Sequence, residues 1–129
     1  METIEQREHF RYKTMARARI KGKLDEETLL KDLSITGCCI TSKNYSDIFL
    51  NVQYELEVVP EEEAKVSPFM LLVETKWTCE KDNSCDIGLK IVKSPKGKKF
   101  LRYVDYLSWR YSQGNSMTND KTIEIPFVI

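Results

Sequence analysis

The chain has 129 residues, of which 41% are hydrophobic and 31% are charged, and its 20 lysines and arginines balance 20 acidic residues. This length suits one domain with a real core and is too short for two. The longest segment without a charged side chain, residues 33–42, spans ten residues, whereas a membrane helix needs about twenty. The balanced charge argues against a bulk electrostatic binder of nucleic acid, which carries a marked basic excess.

The charges are unevenly distributed along the chain. Residues 1–23 carry seven basic and three acidic side chains, residues 55–63 carry five glutamates and no base, and residues 93–102 carry five basic side chains and no acid. A fold that brings the first and third segments together would have a basic patch on its surface. Runs of like charge are also typical of solvated faces. Residues 1–8 are charged and contain no apolar core, so we expect no secretory signal and a cytoplasmic location.

The four cysteines, Cys38, Cys39, Cys79 and Cys85, lack the paired spacing of a zinc site. If Cys38 and Cys39 lie on a strand, their side chains point to opposite faces and cannot share a metal. We therefore expect reduced thiols that act as small packing residues, and no metal.

Alternating apolar and polar residues predict six strands, at residues 16–21, 29–32, 37–41, 51–59, 69–79 and 85–92. The residues predicted to face inward on the last three strands are Val52, Tyr54, Leu56 and Val58, then Phe69, Leu71, Val73, Thr75 and Trp77, then Ile87, Leu89 and Ile91. The opposite face of the fifth strand begins with Met70 and Leu72, which predicts burial on both sides over its first half.

One helix is predicted after the last strand, with Ser94 as its N-cap, Pro95 at its first position and Gly114 at its end. Its apolar stripe comprises Phe100, Leu101, Tyr103, Val104, Leu107 and Tyr111. Tyr106 and Trp109 fall on the far side, where either the tail covers them or they form a partner surface. The tail, residues 114–129, ends in a short apolar β-like tip that we expect to dock on its own domain or on another subunit.

These elements predict a mainly β fold: a small six-stranded antiparallel barrel packed by one C-terminal helix. No phosphate-binding loop, dinucleotide fingerprint or nucleophile elbow is present in the sequence. The only histidine is His9, far along the chain from the cysteines. We therefore predict a protein that is not an enzyme.

Two clusters carry recognisable binding chemistry: Arg7 and Arg11, four residues apart before the first strand, and Asp32, Ser34 and Gly37 in a turn. An arginine fork binds phosphate oxygens and the O6/N7 edge of guanine. An aspartate accepts hydrogen bonds from guanine N1–H and N2–H, and a serine hydroxyl donates to a phosphate or a base edge. The glycine permits a positive φ and a close approach of the backbone.

This pattern resembles the PilZ family of bacterial cyclic di-GMP receptors, whose signature is Arg-x-x-x-Arg followed by Asp/Asn-x-Ser-x-x-Gly. Twenty residues lie between Arg11 and Asp32, and the resemblance covers about residues 5–113. Residues 73–77 look like the family's penultimate strand, and residues 87–91 look like its closing strand, with Ile91 in place of the usual aromatic. Gln6 stands where many members carry a further basic residue, which leaves open whether one ligand or an intercalated pair is bound.

The resemblance implies a PilZ-like domain over residues 1–113 that binds cyclic di-GMP and uses no other cofactor. Arg7 and Arg11 would contact phosphates and the guanine Hoogsteen edge, Asp32 the Watson–Crick edge and Ser34 the polar periphery, while Gly37 would shape the turn. We expect residues 1–11 to be mobile until ligand wraps them over the barrel and alters a face for an unidentified protein partner.

Two alternatives to this receptor remain open. A PilZ-like adaptor would work through protein contact alone, without nucleotide. A barrel that binds single-stranded nucleic acid would need aromatics on an exposed basic face, and the basic strand 16–21 has none.

Overall fold

The computed structural model describes residues 10–22, 28–43, 48–94 and 97–118, and of residues 115–118 it describes the backbone alone. Its strands are β1 (Tyr12–Lys13), β2 (Arg17–Ile20), β3 (Leu29–Leu33), β4 (Gly37–Ser42), β5 (Gln53–Val59), β6 (Phe69–Lys81) and β7 (Ser84–Lys93). A short 3-10 helix, Glu62–Ala64, lies between β5 and β6, and one α-helix, α1 (Lys99–Thr118), follows β7.

Six of the strands form a closed antiparallel barrel. The order is β3-β2-β5-β6-β7-β4, and β4 pairs back onto β3, which closes the sheet. The strand β1 is an addition: it pairs with the C-terminal end of β3, whereas β2 pairs with the N-terminal end of β3. The predicted fold class, a six-stranded antiparallel barrel with one C-terminal helix, is confirmed, and β1 is a seventh strand that the sequence pattern did not predict.

The inner faces of the strands and one stripe of α1 form a single hydrophobic core. Its fully buried members on the strands include Ile20, Leu30, Leu33, Ile40, Leu56, Val58, Leu71, Val73 and Ile87. From α1, Phe100, Tyr103 and Leu107 enter the same core. The ring centroids of Phe100 and Tyr103 lie 6.0 and 6.1 Å from that of Phe69, the first residue of β6. The helix is therefore anchored to the barrel by an aromatic contact as well as by apolar burial.

The predicted burial of Met70 and Val52 is wrong. Met70 is exposed, although the first half of its strand was predicted to be buried on both sides; among the described residues, no second layer covers its outer face. Val52 is also exposed, because it precedes β5 next to a turn in which Asn51 has a φ of 61°. The inward orientation of Leu56 and Val58 is confirmed, since both are fully buried.

Trp77 was predicted to face inward and instead lies on the outer face, with 43% of its surface exposed. The reason is a β-bulge: Thr75 pairs with Leu89 and Trp77 pairs with Gly88, so that Lys76 is an extra residue in β6. One extra residue reverses the alternation of the strand. Thr75 therefore remains inside and Trp77 points out.

The predicted helix limits are wrong at both ends. β7 continues to Lys93, which pairs with Leu72, and α1 begins at Lys99, too late for Ser94 to be its N-cap; Pro95 lies outside the described residues. The helix also continues past Gly114 to Thr118, because one glycine in a helix costs only about 1 kcal/mol.

The buried stripe of α1 is narrower than predicted. Phe100, Tyr103 and Leu107 are buried, whereas Leu101 and Tyr111 are exposed. Trp109 is 59% exposed. Of the tail predicted at 114–129, which was expected to cover Trp109 or to associate with another subunit, residues 114–118 belong to α1, and 119–129 lie outside the described residues.

Candidate ligand-binding site

Arg11 of the first sequence cluster meets the second cluster on the outer surface of the barrel. Arg11 directly precedes β1, and the register of β1 on β3 places Lys13 opposite Asp32. The Arg11 Nη1 atom lies 3.3 Å from Asp32 Oδ1, and 21% and 26% of the two side chains are exposed. The structure thus brings together two of the predicted site residues that are far apart in sequence. Arg7 lies outside the described residues, so its role and the wrapping of residues 1–11 stay predictions.

A second β-bulge makes Asp32 accessible. Leu30 pairs with Ile40 and Asp32 pairs with Cys39, so that Lys31 is an extra residue in β3. Under regular alternation Asp32 would share the inner face with Leu30. Because of the bulge, Leu30 and Leu33 are buried while Lys31 is exposed and Asp32 is half-buried. The bulge therefore directs the carboxylate to the outer surface.

The Ser34 side chain is buried and forms hydrogen bonds within its own turn. Its Oγ accepts the backbone N–H groups of Thr36 at 3.2 Å and Gly37 at 3.1 Å, and it lies 3.2 Å from the Gly37 carbonyl oxygen, to which it donates. The Ile91 N–H donates to the Thr36 carbonyl at 2.9 Å, which attaches the turn to β7. Ser34 therefore stabilises the turn. The exposed hydroxyl beside it is that of Thr36, whose Oγ1 lies 3.3 Å from Ser34 Oγ.

Gly37 is needed for space rather than for an unusual backbone conformation. The positive φ that the sequence suggested is absent here: among the glycines in the described ranges, Gly22 and Gly97 have positive φ. A Cβ on Gly37 would lie 3.0 Å from Arg11 Nη2 and 2.9 Å from the Leu89 carbonyl oxygen. The expected close approach at Gly37 is thus made by the Arg11 guanidinium, which lies against the bare Cα.

The strand register extends this site into a row across the outer face. The paired positions, in order across β1, β3, β4, β7 and β6, are Lys13, Asp32, Cys39, Gly88 and Trp77. The Trp77 indole occupies the space where a Cβ on Gly88 would stand. On the neighbouring row, Lys90 pairs with Gly37. The site therefore has an aromatic surface and a further cation at its border.

Sequence reasoning missed Thr36, Trp77 and Lys90 as members of this surface. The only signal for Trp77 was the glycine in the facing strand, since a large side chain needs an open position opposite it. Lys90 could be assigned to this surface only from the register of β4 on β7, which places it opposite Gly37.

Next to the site, Asp86 forms ion pairs with two lysines. Its carboxylate lies 2.8 Å from Lys31 Nζ and 2.9 Å from Lys81 Nζ. Burial would raise the pKa of Asp86, but hydrogen bonds from Lys31, Lys81 and Thr41 outweigh that effect and lower the pKa to about 2. Lys31, the bulge residue, thus pairs with Asp86, and Asp32 pairs with Arg11.

Cys39 lies between Asp32 and Gly88 in the row but is not chemically available. Burial, together with the negative charges of Asp32 and Asp86, raises the pKa of its thiol to about 12. Its neighbour Cys38 is a member of the core, as expected for consecutive residues of a strand. Within the described ranges, no three histidine, cysteine, aspartate or glutamate side chains are grouped as a metal site would require.

No model of a known protein family matches the sequence, and no curated protein matches it either. In the part of the chain that the structure describes, no helix has the length and apolar character needed to cross a membrane.

Proposed function

We propose that this protein is a PilZ-type receptor for cyclic di-GMP, which changes conformation on binding and signals through a protein partner. The observation that carries the proposal is the Arg11 guanidinium, held against Gly37 and beside Asp32 on an accessible face. Arg11 of the first motif and Asp32 and Gly37 of the second are thus neighbours in space, as one ligand that contacts both motifs would require.

The chemistry of this pair suits a guanine nucleotide with phosphates. A guanidinium fork binds a phosphate or the O6/N7 edge of guanine with two parallel hydrogen bonds. A carboxylate accepts from guanine N1–H and N2–H together, and adenine has no such pair of donors. Arg7, four residues before Arg11, would add a second guanidinium for a second phosphate.

The row beyond Asp32 supports a planar ligand. Cys39 and Gly88 carry small or absent side chains, and Trp77 borders them with a partly exposed indole. Cys39 is buried and the indole lies over Gly88, so Trp77 is the accessible apolar side chain of the row, and base–aromatic stacking contributes about 1–3 kcal/mol per base. Lys90, opposite Gly37, and Thr36, which precedes Gly37, would offer a cation and a hydroxyl to the phosphates.

Ligand binding would rearrange the ion pair between Arg11 and Asp32. Arg11 and Asp32 neutralise each other at 3.3 Å, and a ligand that binds both must open or bridge this contact. Arg11 belongs to the segment 1–11, which we propose wraps over the ligand and changes the surface shown to a partner. In this proposal the receptor acts in the cytoplasm, without catalysis.

Titration calorimetry with cyclic di-GMP, cyclic di-AMP and GTP tests the proposal. We expect the wild type to bind cyclic di-GMP in preference to the other two, and Arg11→Ala and Asp32→Ala to lose about tenfold or more in affinity, a change of about 1.4 kcal/mol. The matched control is Arg19→Ala, because Arg19 pairs with Glu57 on the exposed face of β2. Absence of heat with the wild type at about 50 µM nucleotide would contradict the proposal.

The alternative is a protein–protein adaptor of similar fold that does not bind nucleotide. The observation in its favour is Trp109, which is 59% exposed on α1 and is of a residue type common at the centre of protein interfaces. The alternative predicts no heat with any nucleotide, together with loss of partner capture in Trp109→Ala and retained capture in Arg11→Ala. A pull-down with and without cyclic di-GMP separates it from the receptor.

A further inference from the structure

We infer that Arg110 of α1 is a positioning residue for the candidate site: it holds β1, and through β1 the Arg11 side chain, in register with Asp32. The ligand-binding consequence of this inference rests on the proposed function, whereas the effect on β1 does not. Arg110 is 97 positions from its backbone partner in β1, and neither sequence motif includes it.

The guanidinium of Arg110 connects β1 to a buried carboxylate. Its Nη2 donates to the Lys13 carbonyl oxygen at 2.7 Å, and its Nη1 donates to Glu61 Oε2 at 2.7 Å. The other oxygen of Glu61 accepts the Tyr103 hydroxyl at 2.6 Å, and the Glu61 side chain is only 9% exposed. Because Glu61 is fixed from two directions, the planar fork of Arg110 is held in one orientation.

β1 needs such support because it is only two residues long. It pairs with β3 at Tyr12 opposite Leu33 and at Lys13 opposite Asp32. A strand of this length contributes few ladder hydrogen bonds, so the cost of ordering its backbone must be met by contacts elsewhere. The Lys13 carbonyl that Arg110 engages belongs to the residue paired with Asp32, and Arg11 is two residues away.

Helix α1 also supports β1 through aromatic rings. The Tyr111 centroid lies 4.8 Å from that of Phe10 and 5.9 Å from that of Tyr12, and the Phe10 and Tyr12 centroids are 5.0 Å apart. Arg11 lies between these two aromatic residues in the chain. Tyr111 thus contacts the residues on both sides of Arg11, and Arg110, adjacent to it on α1, binds the Lys13 carbonyl.

The decisive variant is Arg110→Lys, because it retains a positive charge for Glu61 and removes the planar fork that reaches two acceptors. We expect a melting temperature near that of the wild type and a fivefold to tenfold loss of affinity for cyclic di-GMP, in a range of about 1–1.4 kcal/mol. The matched control is Arg102→Lys on the exposed part of the same helix, which should change neither quantity.

Hydrogen exchange of the free protein tests the effect on β1 without any ligand. The Thr14 N–H, which donates to the Lys31 carbonyl at 3.1 Å, directly follows β1 and reports on its attachment to β3. We expect this amide to exchange faster in Arg110→Lys and unchanged in Arg102→Lys. Equal exchange in both variants would overturn the inference.

A double-mutant cycle with Arg11→Lys tests whether Arg110 acts through Arg11. We expect Arg110→Lys to weaken nucleotide binding clearly less in the Arg11→Lys background than in the wild type, since coupled residues are not additive. Full additivity would overturn the inference. If the wild type binds no nucleotide, the proposed function fails, and the exchange measurement alone then decides whether Arg110 holds β1.

Discussion

The indole of Trp77 lies over the bare Cα of Gly88, in the volume that a Cβ at that position would need. This contact joins two neighbouring strands on the outer face of the barrel, at the place where the bulge at Lys76 turns Trp77 outward. The glycine and the bulge are both required: one provides the space and the other provides the direction. Together they create the aromatic border of the candidate site.

Gly88→Ala is expected to displace this indole and to lower the free energy of unfolding by about 1–3 kcal/mol, the usual cost of overpacking. The chain has two tryptophans, Trp77 and Trp109, so the fluorescence of Trp77 is isolated in a Trp109→Phe background. Emission should shift to longer wavelength as the indole moves into water. An unchanged spectrum and an unchanged urea midpoint would contradict the contact.

Gly37→Ala is expected to separate Arg11 from Asp32, because the new Cβ would lie 3.0 Å from Arg11 Nη2 while the Leu89 backbone, at 2.9 Å, cannot retreat. We expect about 1–3 kcal/mol of destabilisation and, under the proposed function, weaker nucleotide binding. The control is Gly114→Ala in α1, where an added Cβ meets nothing within 4 Å.

This control should raise the free energy of unfolding by about 0.5–1 kcal/mol, because alanine is the better helix former. Urea unfolding of both variants is the measurement. Equal effects at Gly37 and Gly114 would show that the space around Gly37 is not restricted.

The stability of the fold should decrease in acid because of Asp86. Hydrogen bonds from Lys31, Lys81 and Thr41 outweigh the effect of burial and lower the pKa of its carboxyl to about 2. In the unfolded chain this carboxyl titrates near pH 4. A depressed pKa in the folded state stabilises the fold above about pH 4, and this stabilisation is lost as the pH falls to about 2. The contribution is about 2 kcal/mol.

Urea midpoints measured between about pH 6 and pH 2 test this contribution. Asp86→Asn should be less stable than the wild type at the upper end, and the difference should shrink as the pH falls. A constant difference across the range would show that Asp86 does not titrate in this window.

Thiol labelling should distinguish Cys79 from the other cysteines. Cys79 is exposed, whereas Cys38, Cys39 and Cys85 are buried, and burial raises the pKa of each of these three thiols, that of Cys39 to about 12. Since the thiolate is the reactive form, a disulfide reagent at about pH 8 should react with one thiol in the native protein and with four in denaturant. Cys79→Ser should abolish the native reaction, and rapid labelling that persisted in this variant would contradict the assignment.

The barrel was predictable because every strand must present an apolar inner face, and that requirement is visible as alternation along the chain. The error at Trp77 occurred where this alternation is interrupted. The orientation of Trp77 depends on an extra residue in β6, and that of Asp32 depends on an extra residue in β3. A single inserted residue shifts the register between two paired strands but leaves the local composition unchanged. The alternation of apolar and polar residues along the sequence therefore does not reveal it.

Apolar periodicity and the chemistry of arginine, aspartate and glycine are properties of individual residues, so the class of fold and the two clusters could be predicted from the sequence alone. Which residues meet depends on the tertiary structure. Arg11 reaches Asp32 only because β1 pairs with β3, and Arg110 reaches the Lys13 carbonyl only because α1 packs against β1. Such contacts depend on barrel closure and helix packing between residues far apart in the chain, and no local pattern contains that geometry.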